Sequence, residues 1–250
     1  MAKSIKFIPS SSQSYDSIYE RDPRHVAVDL YANSHLLNET KNEHHAALER
    51  IYHNSLAAGL PDISCSPAQA KFLMLQIQIS NAKNVLEVGT LGGYSAAWMA
   101  SAGPDVEVST IEIDETHASV ASRNITEAGL ASQVEILRGA GLEILPKLAS
   151  EVQSHQRSPF DFVFIDANKQ DSLAYFNLAL SMACPRTAII VDNVVRNGKV
   201  VSAAEAEKDD RVLGIRQLIE AIGKDDRVDA TVIQTVGEKN YDGFLLAIKK

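Results

Sequence analysis

Residues 84–95 read NVLEVGTLGGYS, and this stretch decides the fold. Its first part, Asn84–Val88, is a short apolar run typical of a buried strand, and a glycine-rich turn precedes the next helical pattern. Glycines allow positive φ angles and let a ligand approach the backbone. In an open α/β sheet, this turn lies at the carboxyl end of a strand, where such folds bind ligands. The sequence therefore predicts a ligand site around Gly89, Gly92 and Gly93.

Strand and helix patterns alternate from Asn84 onward. Five βα units followed by a hairpin predict an α/β fold with a doubly wound, mostly parallel sheet of seven strands and a C-terminal antiparallel hairpin. The predicted strands are residues 84–88, 106–113, 134–139, 160–166, 187–193, 229–236 and 243–249. The predicted helices are residues 94–102, 114–130, 141–150, 169–183 and 212–222.

The chain before this core has a helical pattern. Residues 15–80 are predicted to form a helical cap, in which Ser66-Pro67 begins the last helix because proline in a first turn loses no hydrogen bond. Residues 1–14 are serine-rich and are expected to be mobile. We therefore expect one domain over residues 1–250, with residues 84–250 as its ligand-binding core.

Composition limits the possible partners. The chain has 250 residues, 45% hydrophobic and 22% charged, and its net charge of −8 argues against a nucleic-acid partner. Its two cysteines have no paired spacing, which fits a reducing compartment without a disulfide framework. No secretory signal and no apolar run of about 18 residues is found, so we expect no membrane partner and a cytoplasmic location.

Two acidic residues indicate which ligand the glycine turn binds. Glu87 stands two residues before Gly89, and Glu112 ends the second predicted strand. A carboxylate at Glu87 would repel a pyrophosphate but suits a ligand with a cationic end. An acid after the second strand can accept the hydroxyls of a ribose. The pattern therefore favours S-adenosylmethionine, which carries an ammonium and a sulfonium.

Other interpretations of the turn stay open at this point. A dinucleotide site expects G-x-G-x-x-G, whereas this turn is G-x-x-G-G. An NAD-dependent oxidoreductase is the alternative enzyme, and a protein that binds S-adenosylmethionine without turnover is the alternative outside catalysis. In the simplest structural interpretation, Glu87 faces a helix dipole and Glu112 is a solvated strand end.

A second group of polar residues follows the fourth and fifth predicted strands. Asp166 ends one, and Asp192-Asn193 end the next. The carboxyl ends of neighbouring parallel strands lie side by side, so these residues would offer three hard oxygen ligands. Such a set suits Mg²⁺, with Mn²⁺ or Ca²⁺ as alternatives.

Lys169 lies three residues after Asp166 and is the candidate general base. A nearby divalent cation disfavours a protonated lysine and so lowers its pKa. A cation that held two adjacent hydroxyls would also lower the pKa of one of them. The predicted chemistry is proton transfer to Lys169 and attack of the oxygen on the sulfonium methyl group, with the protein holding the geometry.

From about Ile63 to the C-terminus the chain resembles the cation-dependent O-methyltransferases of the caffeoyl-CoA and catechol type. The resemblance rests on FIDANK (residues 164–169) and VDN (residues 191–193), supported by EVGTLGGYS (residues 87–95). It implies a homodimer and a small aromatic acceptor with vicinal hydroxyls, such as a catechol, a flavonoid or a caffeoyl ester.

The resemblance also implies roles for single residues. It makes Lys169 the base and implies that the metal ligands are Asp166, Asp192 and Asn193. The cofactor residues that it implies are Cys65, Glu87, Gly89, Thr90, Ser95, Glu112, Ala140, Gly141 and Asp166. Among these, Ser95 would bind the methionine carboxylate, and residues 139–141 would lie against adenine.

Three residues depart from the family pattern. Cys65 stands where threonine or valine is common, Arg186 replaces a glycine, and Arg196 stands where many members have tryptophan. An Arg196 that faced the site would favour an anionic or polyhydroxylated acceptor, whereas an Arg196 in solvent would have no such effect.

Overall fold

A computed structural model of the chain describes residues 5–7 and 19–250. At the N-terminal end, Ile5–Phe7 (β1), in the segment that was expected to be mobile, pair antiparallel with Tyr19–Arg21 (β2). The sequence pattern had predicted helix at residues 19–21, which is wrong for this short strand. The remainder of the prediction for residues 1–18 lies outside the described residues. Three helices follow: Pro23–Leu36 (α1), His45–Ala57 (α2) and Pro67–Ser80 (α3).

The core alternates strands and helices as the sequence predicts. Its strands are Asn84–Val88 (β3), Glu107–Glu112 (β4), Val134–Arg138 (β5), Phe160–Ile165 (β6), Ala183–Asp192 (β7), Val228–Val236 (β8) and Tyr241–Lys249 (β9). Its helices are Tyr94–Ala100 (α4), Glu115–Glu127 (α5), Gly141–Gln153 (α6), Ser172–Met182 (α7), Ala203–Ala206 (α8) and Asp210–Ile222 (α9).

These strands form a seven-stranded sheet in the order β5-β4-β3-β6-β7-β9-β8. The first five strands in that order are parallel, and β9 pairs antiparallel with both β7 and β8. The predicted fold class is confirmed. The strand order reverses between β3 and β6, and open α/β sheets bind ligands in the crevice beyond the strand ends at such a point.

Side chains from alternate positions of the strands build two apolar cores, one on each face of the sheet. On one face, Phe162 and Phe164 of β6 pack with α2, α3, α4 and α5. On the other face, Val163 and Ile165 pack with α6, α7 and α9. A strand that is buried on both sides reads as a continuous apolar run, as FDFVFI does.

Local hydrogen bonds explain where several helices begin. Ser66 caps α3 by accepting from the Gln69 N–H, directly before Pro67, as its sequence predicts. The predicted loop after β7 contains a turn of 3-10 helix and α8, because Ser202 caps that short helix.

The longest helices of the described residues, α1 and α3, have 14 residues each, and none of those residues forms a helix that could cross a membrane.

Candidate functional site

A cavity of about 1180 Å³ lies at the carboxyl ends of β3, β4, β6 and β7. Residues 62–72 and the turn between β8 and β9 cover it. Twelve of the predicted site residues line this cavity: Cys65, Gly89, Thr90, Ser95, Glu112, Ala140, Gly141, Asp166, Lys169, Asp192, Asn193 and Arg196. Glu87 does not. The space is larger than one small ligand needs, so a cofactor and an acceptor fit together.

Two close contacts explain the glycines after β3. Gly89 has a φ of +104°, and a Cβ atom there would lie 2.2 Å from the backbone oxygen of Asp166. At Gly92 a Cβ atom would lie 2.0 Å from Ser55 Oγ, so α2 of the cap packs directly on the turn. The glycines therefore let the turn approach both the neighbouring strand end and the cap.

Glu87 lies behind the cavity and is fully buried. Its two carboxylate oxygens accept hydrogen bonds from Ser95 Oγ and Thr110 Oγ1, each at 2.5 Å. Burial raises the pKa of Glu87 to about 8, although these hydroxyls partly oppose the shift. Of this group Ser95 reaches the cavity, so Glu87 acts on a ligand through the Ser95 hydroxyl.

Glu112 is fixed by backbone donors at the end of β4. One carboxylate oxygen accepts from the Leu91 N–H at 2.8 Å, and the other accepts from the Asp114 N–H at 2.9 Å. The side chain is largely buried, yet it lines the cavity. Each oxygen keeps a lone pair, so a rigid carboxylate is available for the two hydroxyls of a ribose.

The loop between β5 and α6 forms another part of the cavity surface. Gly139 has a φ of +144°, and Ala140 takes the extended conformation that precedes α6. A Cβ atom on Gly141 would lie 2.8 Å from the Tyr175 ring, so Gly141 lets that ring pack against the backbone. This narrow edge of the cavity presents backbone and ring surface, which suits a flat base.

The predicted metal ligands and the predicted base come together at the other end of the cavity. Lys169 Nζ lies 2.7 Å from Asp166 Oδ1, and the lysine is buried. Asp192 is also buried, and Asn193 has a φ of +57°. Burial and the neighbouring Asp166 raise the pKa of Asp192 to about 7.

The donor set at this end fits a hard divalent cation. The carboxylates of Asp166 and Asp192 lie close enough for Asp166 to raise the pKa of Asp192, and Asn193 is the next residue. A cation bound here would remove the repulsion between the two carboxylates. Among the described residues no cluster of three or more His, Cys, Asp or Glu side chains could hold a metal. The third ligand would therefore be the Asn193 amide, with substrate or water oxygens completing the shell.

Cys65 lies between the two ends of the cavity. Burial raises the pKa of its thiol, and the charges of Asp192, Asp166 and Glu87 add to this shift. The thiol therefore stays protonated at neutral pH and presents a small, weakly polar surface to the ligand.

Asp242 of β9 is a buried residue of the cavity wall that the sequence did not reveal. Its Oδ1 accepts from the N–H groups of Val195 and Arg196, at 3.1 and 2.9 Å, and from its neighbour Gly243. Burial raises the pKa of Asp242. It fixes the loop that follows Asn193, a role that no local pattern reveals because the contact joins residues 46 positions apart.

Arg196 faces the cavity, which decides between the two interpretations of this residue. It is half-buried and takes a left-handed conformation with a φ of +55°. Asn197 and Gly198 continue the left-handed turn. A run of such angles outside glycine stores strain, and strain of this kind concentrates at functional sites.

The strand order, the glycine turn and the position of the cavity define a Rossmann-like methyltransferase fold. The family model described as O-methyltransferase matches residues 38–250, so the chain belongs to the O-methyltransferase family.

Individual proteins agree with this assignment. The chain is 49% identical to the O-methyltransferase imqG of Aspergillus flavus, over 93% of this chain and 94% of that protein. It is also 49% identical to a catechol O-methyltransferase of Niastella koreensis, over 79% of this chain and 87% of that protein. Among solved structures, an O-methyltransferase from Bacillus cereus in complex with SAH superposes with a TM-score of 0.83 and 43% identity, over 91% of this chain and 99% of that one.

Proposed function

We propose that this O-methyltransferase uses S-adenosylmethionine and a divalent cation to methylate one of two vicinal hydroxyls on a small aromatic acceptor, such as a catechol, a flavonoid or a caffeoyl-type compound. One observation carries the proposal. The cavity joins the rigid carboxylate of Glu112 at one end to Lys169, Asp166, Asp192 and Asn193 at the other. The family membership replaces the NAD-dependent oxidoreductase as the expected enzyme.

The cofactor would occupy the end formed by the glycine turn. Glu112 would accept from the ribose hydroxyls, and the loop at residues 139–141 would pack against the adenine. Ser95 would hold the methionine portion near Cys65, with Glu87 behind it as the hydrogen-bond partner of Ser95. The sulfonium methyl group would then face the group of carboxylates at the opposite end.

Asp166, Asp192 and Asn193 would hold Mg²⁺, and their oxygen ligands would also accept Mn²⁺ or Ca²⁺. A bound cation would orient two adjacent hydroxyls and lower the pKa of one of them. The residues that surround this position supply the rest of the catalytic arrangement.

Lys169 Nζ lies 2.7 Å from Asp166 Oδ1 at this end of the cavity. A cation bound by Asp166 would replace the ammonium of Lys169 as its counter-ion, so that Lys169 would be neutral and its Nζ atom could accept a proton. The acceptor hydroxyl would give its proton to Nζ, and S-adenosylmethionine, when bound, would supply the methyl group to the hydroxyl oxygen. The products are a methyl ether and S-adenosylhomocysteine, and the proton on Nζ returns to water.

Removal of divalent cations tests the metal requirement. Product formation from catechol and S-adenosylmethionine should fall to background after exhaustive chelation and should return when Mg²⁺ is added. Calorimetry with S-adenosylhomocysteine should give an unchanged Kd before and after chelation, which separates loss of the metal from loss of the fold. Full turnover in the chelated protein would contradict the cation requirement, and cofactor binding without any turnover would favour the non-catalytic alternative.

Substitution of the lysine tests the proton acceptor. Lys169→Ala should lower kcat by about 10²–10⁴-fold, the usual contribution of a positioned base, with an unchanged Kd for S-adenosylhomocysteine. The matched control is Lys199→Ala, because Lys199 lies on the next loop and is not part of the cavity surface. Equal turnover in the two variants would remove Lys169 from the mechanism.

The proposal includes a homodimer. Helix α1 has no buried residue and exposes Val28 and Tyr31 by 65% and 70%. Apolar surface of this kind favours association between copies. Light scattering should give twice the mass of the chain, and a monomer at micromolar concentration would contradict it.

A further inference from the structure

Four basic side chains with a permanent or near-permanent charge line the cavity, and they differ in their partners. Three of them are held by carboxylates at 2.7 Å, so their charge is already balanced within the protein. The pairs are Lys169 with Asp166, Arg211 with Asp209, and Lys239 with Asp62. The fourth basic side chain is Arg196.

The Arg196 side chain has no ion pair or hydrogen bond to any residue of 22–250, and its Nε atom is buried without a partner among them. The carboxylates of Asp209 and Asp242 are close enough for the arginine charge to lower their pKa values. The negative charges of these two carboxylates stabilise the guanidinium in this position, but neither carboxylate accepts a hydrogen bond from it. A buried donor without an acceptor costs free energy, which a ligand would recover by accepting from it.

The backbone of Arg196 is fixed while its side chain is available. Its N–H donates to Asp242, its φ is +55°, and it lines the cavity three residues after Asn193. The guanidinium therefore belongs to the acceptor end of the cavity, next to the proposed metal ligands. Because the position is rigid, a ligand would lose little free energy in ordering it.

We propose that Arg196 binds a carboxylate on the acceptor, so that the substrates are aromatic carboxylates with two vicinal hydroxyls. This inference rests on the proposed function. The planar guanidinium matches a carboxylate with two parallel hydrogen bonds.

Two acceptors of nearly the same shape test the proposal. 3,4-Dihydroxybenzoate carries a carboxylate, and 3,4-dihydroxybenzamide carries a neutral amide in its place. We would measure kcat/KM for both with the wild-type protein, Arg196→Gln and Arg196→Lys. The ratio of benzoate to benzamide should fall at least about tenfold in Arg196→Gln, which is typical of a lost charge-assisted hydrogen bond, and less in Arg196→Lys. The intrinsic reactivity of each phenol cancels when this ratio is compared between variants.

Arg211→Gln is the matched control, because Arg211 lines the same cavity but is paired with Asp209. It should leave the benzoate-to-benzamide ratio within about twofold of the wild type. An equal loss for both acceptors in Arg196→Gln would overturn the inference and leave the proposed function standing. A weaker Kd for S-adenosylhomocysteine in Arg196→Gln would overturn it too, because the arginine would then serve the cofactor carboxylate. Failure of every dihydroxy acceptor would instead refute the proposed function.

Discussion

The two ends of the cavity are built in different ways. At the cofactor end (residues 87–95, 112 and 139–141), glycines permit close backbone contacts and buried side chains are fully hydrogen-bonded. At the acceptor end (residues 166–169 and 192–198), charged side chains meet on a strained loop that depends on one carboxylate, Asp242. The cofactor end is therefore fixed by backbone packing, whereas single side chains can adjust the acceptor end.

The strongest test of backbone packing at the cofactor end is Gly89→Ala. A methyl group would overlap the Asp166 backbone oxygen at 2.2 Å, so we expect a loss above about 5 kcal/mol in the free energy of unfolding, enough to prevent folding. Urea denaturation followed by circular dichroism measures it. Gly129→Ala is the control, because Gly129 has a φ of +74° with open space around it and should lose only about 1–2 kcal/mol. Equal stability of the two variants would contradict the packing argument.

A second test uses the buried charge at the cofactor end. The pKa of Glu87 is raised from 4.5 to about 8, so the folded protein binds a proton that the unfolded chain releases. Its contribution to stability is complete below pH 4.5 and is lost as the pH rises towards 8. Without cofactor, Glu87→Gln should therefore match the wild type at pH 4.5 and exceed it by up to about 5 kcal/mol at pH 9.

The measurement is a series of urea denaturations from pH 4.5 to pH 9. Glu107→Gln removes a carboxylate from an exposed position of β4 and should follow the wild-type curve. A constant difference between Glu87→Gln and the wild type across this range would show that Glu87 does not titrate on unfolding.

The smallest expected loss of stability is at the acceptor end, where Asp242 holds the loop. Asp242→Ala leaves the N–H groups of Val195, Arg196 and Gly243 without their acceptor and should lower the free energy of unfolding by about 2–3 kcal/mol. The KM of the aromatic acceptor should rise, while the Kd of S-adenosylhomocysteine stays within about twofold. Asp242→Asn keeps one carbonyl oxygen as an acceptor, so its free energy of unfolding should lie between those of the wild type and Asp242→Ala. A parallel loss of cofactor binding would mean that the two ends are not independent.

The sequence predicted the features of the fold and site that depend on local pattern and on topology. Buried strands such as FDFVFI are visible as apolar runs, and the parallel order then brings Asp166, Asp192 and Asn193 to one edge. The structure adds what depends on distant contacts. The role of Asp242, the contact of Ser55 with Gly92 and the position of Glu87 behind the cavity have no local signature. The same holds for the difference between Arg196 and Arg211, because the sequence does not show which of the two arginines has a carboxylate partner.

The position of β9 has a consequence for biosynthesis. Although it is made after every other strand of the sheet, it lies inside the sheet, between β7 and β8. On the ribosome, the glycine turn and Glu112 emerge long before Asp242 does. We therefore expect a nascent chain to acquire its nucleoside-binding end first. The selectivity for the methyl acceptor would arise only after β9 has been made and has inserted between β7 and β8.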